Sequence, residues 1–327
     1  MKNRRIPAYA LTILFALGAN LAQAVGFQHL KLDASELEVG IWYPSIGQTT
    51  SQSMGLITQN VAVDGPVEGS RLPLIVISHG TGSSFLGHYD TAIALAEAGY
   101  VVASVTHTGD NYADQSRSIF IMDRPKQISL VIDYIIHAWN GHTQVDPMRI
   151  GMFGFSAGGF TTLVNIGGVP DLRRIAPFCK EHIGDFACQM LARSPDTKPN
   201  SLATQSAISD ARIKAAVVAA PALGFTFSRE GLQNVTIPVQ LWRAEDDNLL
   251  PNPWYAEAVR LALPQAPDYH VIPKAGHFDF LAPCTEALLA RAPAICTSAP
   301  DFNRKAFHVA FNASIIEFFG RTLKSGN

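Results

Sequence analysis

Residues 149–159 read Arg-Ile-Gly-Met-Phe-Gly-Phe-Ser-Ala-Gly-Gly (RIGMFGFSAGG), and the run changes character at Ser156. The part up to Phe155 is short and apolar, as a strand buried on both faces must be. The part after it predicts a helix. Gly154 and Gly158 set the pattern G-x-S-x-G around Ser156 at that junction. A serine on a sharp strand-to-helix turn stands clear of the sheet, and only glycines two positions to either side let the neighbouring backbone come close. Ser156 is therefore the candidate nucleophile.

Outward from this turn the chain alternates in the same way. Leu72–Ser78 (LPLIVIS) and Tyr100–Thr106 (YVVASVT) predict buried strands before the serine, and Ile213–Ala219 (IKAAVVA), Ile237–Trp242 (IPVQLW) and Tyr269–Ile272 (YHVI) predict them after it. Glu36–Tyr43 (ELEVGIWY) predicts an earlier strand, followed by a polar stretch to about Ser70. Helical spacing covers 89–98, 128–139, 254–263 and 305–323. Short buried strands alternating with helices imply an α/β fold, with a mostly parallel sheet covered by helices on both faces. The irregular segment at about 170–209 is too short for a core of its own. It is expected to be a small helical cap inserted in a single domain spanning 25–327.

A serine hydroxyl needs a base and an acid to orient that base, and on such a sheet they follow in the order serine, acid, histidine. Ala275-Gly276-His277 lies on the turn after the last predicted strand, making His277 the candidate base. The loop after Trp242 carries Glu245, Asp246 and Asp247 together. Asp247 is the candidate acid because the loop resembles the strand-G-x-x-D-x-x-x-Pro form of related hydrolases, with Pro251 four residues on and Ala244 in the usual glycine's place. Two backbone N–H groups must face the developing negative charge. Ala157, at a helix N-terminus, supplies one, and the loop His79-Gly80-Thr81-Gly82 the other, through Thr81. His79 itself is expected to brace that loop.

Taken together, Ser78-His79-Gly80-Thr81-Gly82, Asp146-Pro147-x-Arg149-Ile150-Gly151 leading into the serine turn, and Ala275-Gly276-His277 resemble the dienelactone hydrolase branch of the α/β-hydrolase fold. They are most similar to bacterial relatives of platelet-activating-factor acetylhydrolase. The resemblance runs over roughly residues 36–320. It implies a serine carboxylic ester hydrolase acting on short-acyl esters or phospholipid-type substrates through an acyl-enzyme. Serine where true dienelactone hydrolases carry cysteine argues against lactones. A serine peptidase or amidase is the alternative, since D-P-x-R-I-G also occurs in oligopeptidases, and a binding protein that kept the fold is a third reading.

The chain has 327 residues and a formal net charge of −2. With no basic run, nothing favours nucleic acid as a partner. Lys2, Arg4 and Arg5, the apolar run Ala8–Leu17 and Ala22-Gln23-Ala24 form a signal-peptide pattern cut after Ala24. The mature chain is then exported, periplasmic or secreted, with no membrane span. The four cysteines fit an oxidising compartment. They allow three connectivities, of which Cys179–Cys188 and Cys284–Cys296 are the simplest, with both loops expected to flank the pocket. Neither a dinucleotide fingerprint nor a zinc or phosphate-loop pattern is present, so no cofactor and no metal are implied. Oligomeric state leaves no trace in the sequence.

Overall fold

The computed structural model describes residues 24–32, 36–193 and 207–323. The expected leader, apart from Ala24, and residues 194–206 of the expected cap lie outside them. Among the described residues, ten strands form one sheet in the order β10-β9-β8-β7-β5-β6-β2-β1-β4-β3. They are β1 Ala24–Leu32, β2 Leu37–Ser45, β3 Thr50–Met54, β4 Ile57–Val63, β5 Leu72–Ser78, β6 Val101–Thr106, β7 Val145–Phe155, β8 Ile213–Ala219, β9 Val239–Ala244 and β10 Asp268–Ile272. From β6 to β10 every neighbouring pair is parallel. Beyond β6, β2 runs antiparallel both to β6 and to β1. The result is the mostly parallel sheet that the apolar runs imply.

Both faces of the central strands are covered, which is why those strands read as continuous apolar runs rather than alternations. In β5, Leu74 and Val76 join one core and Ile75 and Ile77 the other. Helix α1 (Tyr89–Glu97) and the long helix Arg304–Thr322 pack over the second core. Helices α2 (Arg124–His137) and α3 (Ala157–Asn165) cover the first. Helix α2 starts four residues before its apolar spacing, because Pro125 in the first turn needs no amide partner there.

Three strands escaped the sequence reading. The stretch expected to be polar and irregular up to Ser70 contains β3 and β4, paired antiparallel from Thr50↔Val61 to Met54↔Ile57. Strand β4 buries Ile57, Gln59 and Val61 on one face and exposes Thr58 and Asn60. An edge hairpin buried on one side carries only half the apolar signal of a central strand. Strand β1 abuts the leader-like segment, whose hydrophobicity hides its alternation. Among the described residues, the segment after α3 holds two short helices, α4 (Ile175–Glu181) and α5 (Phe186–Ala192).

Candidate active site

Strand β7, in the middle of the sheet, delivers Ser156 just past its C-terminal end on a strained turn. Ser156 has φ 56° and ψ −117°, a left-handed φ that a non-glycine residue adopts only at a cost. The turn is held by Ser156 N–H donating to the Ala219 carbonyl at 2.9 Å and Ala222 N–H donating to the Ser156 carbonyl at 2.9 Å. The flanking glycines are required by close approach. A Cβ on Gly154 would lie 2.1 Å from the Gly158 carbonyl oxygen, and one on Gly158 1.9 Å from the Ser78 carbonyl oxygen. Upstream, Asp146 accepts from Met148 N–H at 3.0 Å and from the Arg149 guanidinium at 3.1 Å, which pins the start of the strand.

Three side chains from three separate loops meet in line. His277 Nε2 lies 3.1 Å from Ser156 Oγ, and its Nδ1 lies 2.7 Å from Asp247 Oδ2. Asp247 Oδ1 accepts from the N–H groups of Leu249 and Leu250 at 3.0 and 2.8 Å. Both oxygens of that carboxylate are thus engaged, which fixes it against the imidazole. All three residues are buried to at least nine-tenths. Asp246, one residue earlier, is exposed and meets the site only through its backbone, whose N–H donates to the Ala275 carbonyl. The His277 turn has its own brace. Asp279 accepts from Gly276 N–H at 2.8 Å and from Arg304 Nε at 2.9 Å, and its backbone carbonyl faces His308 Nε2 at 2.9 Å.

Thr81, Ser156 and Ala157 line a single cleft of about 610 Å³, counting its open mouth. Ala157 is the first residue of α3, where backbone N–H groups have no partner within the helix. The remaining walls are almost wholly apolar and include Ile119, Ile121, Ala222, Leu223 and Leu250. Helices α4 and α5 add Ile175, Phe186, Ala187, Met190 and Leu191. Cys179 and Cys188 are bonded across this helix pair, and Cys284 is bonded to Cys296. The first disulfide therefore flanks the cleft. The second does not: no residue of 284–296 lines it. That loop packs behind His277, where Ile295 offers its carbonyl to Arg304 Nη1 at 2.9 Å. Among the described residues no group of His, Cys, Asp or Glu side chains is arranged to hold a metal ion, and no helix is long and apolar enough to cross a membrane.

Sequence reasoning missed the ion pair beneath the Thr81 loop, Asp110 with Arg124, each no more than 3% exposed. Separated by fourteen positions, the two charges form no local pattern. Their only signal was a charged residue at each end of a loop between two buried elements.

A ferulic acid esterase from Streptomyces cinnamoneus has a similar structure, with a TM-score of 0.64 over 94% of this chain and 91% of that one, at 19% identity. No family model matches the chain, and no curated protein does either. In all, 917 chains of solved structures match, so the frame is widely shared and selects no substrate. The sheet order, the serine turn between β7 and α3 and this likeness define the class: the chain has the α/β-hydrolase fold.

Proposed function

We propose that the chain is an exported serine esterase of this fold, cleaving carboxylic esters through an acyl-enzyme. The observation that carries the reading is the continuous Ser156–His277–Asp247 contact, at 3.1 and 2.7 Å, opening on the cleft. His277 Nδ1–H donates to Asp247, which leaves Nε2 free to accept the Ser156 proton as Oγ attacks the ester carbonyl. The oxyanion so formed accepts from the N–H groups of Thr81 and Ala157. His277 then hands its proton to the leaving alcohol, and a water repeats the cycle on the acyl-enzyme.

The ten apolar residues on the walls support an uncharged acyl group as the part bound, in a short-acyl ester or a phospholipid-type substrate. The ferulic acid esterase likeness supports ester chemistry of the same kind. The residues around Ser78–Gly82, Asp146–Gly159 and Ala275–His277 support placement near the dienelactone hydrolase and platelet-activating-factor acetylhydrolase relatives. Two disulfides support residence in an oxidising compartment, periplasmic or extracellular.

The test is Ser156→Ala assayed on p-nitrophenyl esters from acetyl to octanoyl, with a matched amide beside each. The expected loss in kcat is on the order of 10³-fold or more, with loss of fluorophosphonate labelling. Near-native esterase activity in that variant rejects the reading, and faster turnover of the amides replaces esterase by amidase.

A further inference from the structure

The cleft asks much of the short loop between β5 and α1, because a backbone N–H donates usefully only if its peptide plane is held. A trans peptide points its C=O and N–H in opposite directions. Whatever grips the Gly80 carbonyl therefore aims the Thr81 N–H. The shorter grip comes from His79, whose Nδ1 lies 2.6 Å from the Gly80 carbonyl oxygen, while the Ser83 N–H donates to the same oxygen at 3.3 Å. On the other side of the ring Nε2 receives the His107 backbone N–H at 3.0 Å. A backbone N–H can only donate, so Nε2 is the bare nitrogen and Nδ1 carries the proton. Burial holds His79 well below the ordinary histidine range, and the Arg124 charge pushes the same way, which keeps the ring neutral.

The ends of the loop are gripped by two halves of one ion pair. Arg124 Nη1 donates to the His79 carbonyl at 2.6 Å, while Asp110 Oδ1 accepts the Gly82 N–H at 3.0 Å. Between them, Arg124 Nε and Nη2 donate to Asp110 Oδ2 at 3.0 and 2.7 Å. Gly80 itself sits against the serine, since a Cβ there would lie 3.3 Å from Ser156 Cβ. As a stability device this arrangement is poor. Both charges are desolvated, and Arg124 opens α2, the end of a helix where a cation is disfavoured. A buried ion pair of this kind is commonly matched or bettered by an apolar pair of the same volume.

We propose that Asp110, Arg124 and His79 are positioning residues that lock the Gly80–Thr81 peptide with its N–H toward the cleft, as a preformed oxyanion donor. This rests on the esterase reading given above. The lock acts on the transition state, because the ester carbonyl of the bound substrate gains little from a donor aimed at the tetrahedral oxygen.

The test compares Asp110→Asn, Arg124→Gln, His79→Leu and His79→Asn, with kcat normalised to sites titrated to completion by a fluorophosphonate. For Asp110→Asn and Arg124→Gln, kcat per titrated site is expected to fall on the order of 10²-fold, the scale of one lost oxyanion donor, while KM changes less than about threefold. A trifluoromethyl ketone, which adds to Ser156 and places an oxyanion at the same spot, should weaken by the same factor. The parent methyl ketone should not. His79→Asn keeps a donor for the Gly80 carbonyl and should retain about tenfold more kcat than His79→Leu. If Arg124→Gln does not fold, Asp110→Asn and the His79 pair carry the comparison. Unchanged kcat per titrated site, or equal weakening of both ketones, overturns the proposal. Ser156→Ala separates the two failures: if it stays active the esterase reading falls, and if it is inactive while Asp110→Asn is unchanged only the lock falls.

Discussion

Asp246 and Asp247 are the same side chain one step apart, and their surroundings give them opposite consequences. Asp247 turns one oxygen to His277 Nδ1 and the other to two backbone N–H groups, whereas Asp246 is exposed. In Asp247→Asn the two N–H donors hold the amide oxygen where Oδ1 was, so the amide NH₂ must face the imidazole. His277 then moves its proton to Nε2 and can no longer accept one from Ser156. The expected loss is about 10⁴-fold in kcat with little change in KM, because the wrong tautomer is imposed. Asp246→Asn should keep activity within about threefold, as a solvated carboxylate contributes little. Measuring both on one ester decides the matter; a crippled Asp246→Asn beside an active Asp247→Asn reverses the assignment of the acid.

Among the elements, the pair α4–α5 is joined to the body by Ile175, Phe178 and Cys188 in the core and by a set of ring contacts. Phe178 stacks on Phe225 with ring centroids 3.8 Å apart, and Tyr255 Oη–H donates to Asp185, the residue that caps α5, at 2.6 Å. The Cys179–Cys188 bond closes the turn between the helices. Replacing both cysteines by serine removes a short loop constraint, for which chain entropy suggests about 2.5–3 kcal/mol. It also loosens the wall bearing Phe186, Met190 and Leu191. The ratio of kcat/KM on octanoyl to that on acetyl esters should drop about tenfold, the worth of about one methylene in a specificity pocket. A chain-length profile identical to that of the parent removes the acyl-wall role from this helix pair. The same scale shows where sequence was legible. Strands β5, β6, β7 and β8 are covered on both faces, so their apolar runs needed no knowledge of partners. Ser156, Asp247 and His277 each carried a local mark: a glycine spacing, a distance to Pro251, a turn after the last strand. The hairpin β3–β4 carried none, because residues such as Thr50, Ser51 and Gln52 lie on an exposed edge. Of the clamp on the Thr81 loop only His79 was marked in the sequence, and its Asp110–Arg124 half was equally hidden. Which buried charge faces which backbone group is settled only when β6, α2 and the loop come together.

For the whole molecule the most consequential feature is how many histidines it buries without charge. His88 lies edge-on to Phe153 and Phe155, and burial pushes it down to about 4. Asp90 pulls it up and His308 pushes it down, both more weakly than burial does. His79 and His107 are held well below the ordinary range, first by burial and then by the Arg124 charge. Each titrates near 6.5 once the chain unfolds. Between that value and the folded one, the unfolded state binds protons that the native state refuses, so stability must fall as pH falls. Above pH 7 these groups cost nothing. Below about 6.5 the three act together, with a limiting slope of about 4 kcal/mol per pH unit. Between pH 7 and pH 4.5, His88 alone should account for roughly 2.5 kcal/mol. Leucine at this position cannot take up a proton in either state. His88→Leu should therefore start out less stable than the parent at pH 7 and close most of that gap, or overtake it, by pH 4.5. Urea unfolding of both proteins at pH 7, 6, 5 and 4.5 measures the difference directly. If the two lose stability in parallel over that range, His88 is not a source of the acid sensitivity, and the slope comes from other groups, His79, His107 and the carboxylates held low in the folded state among them.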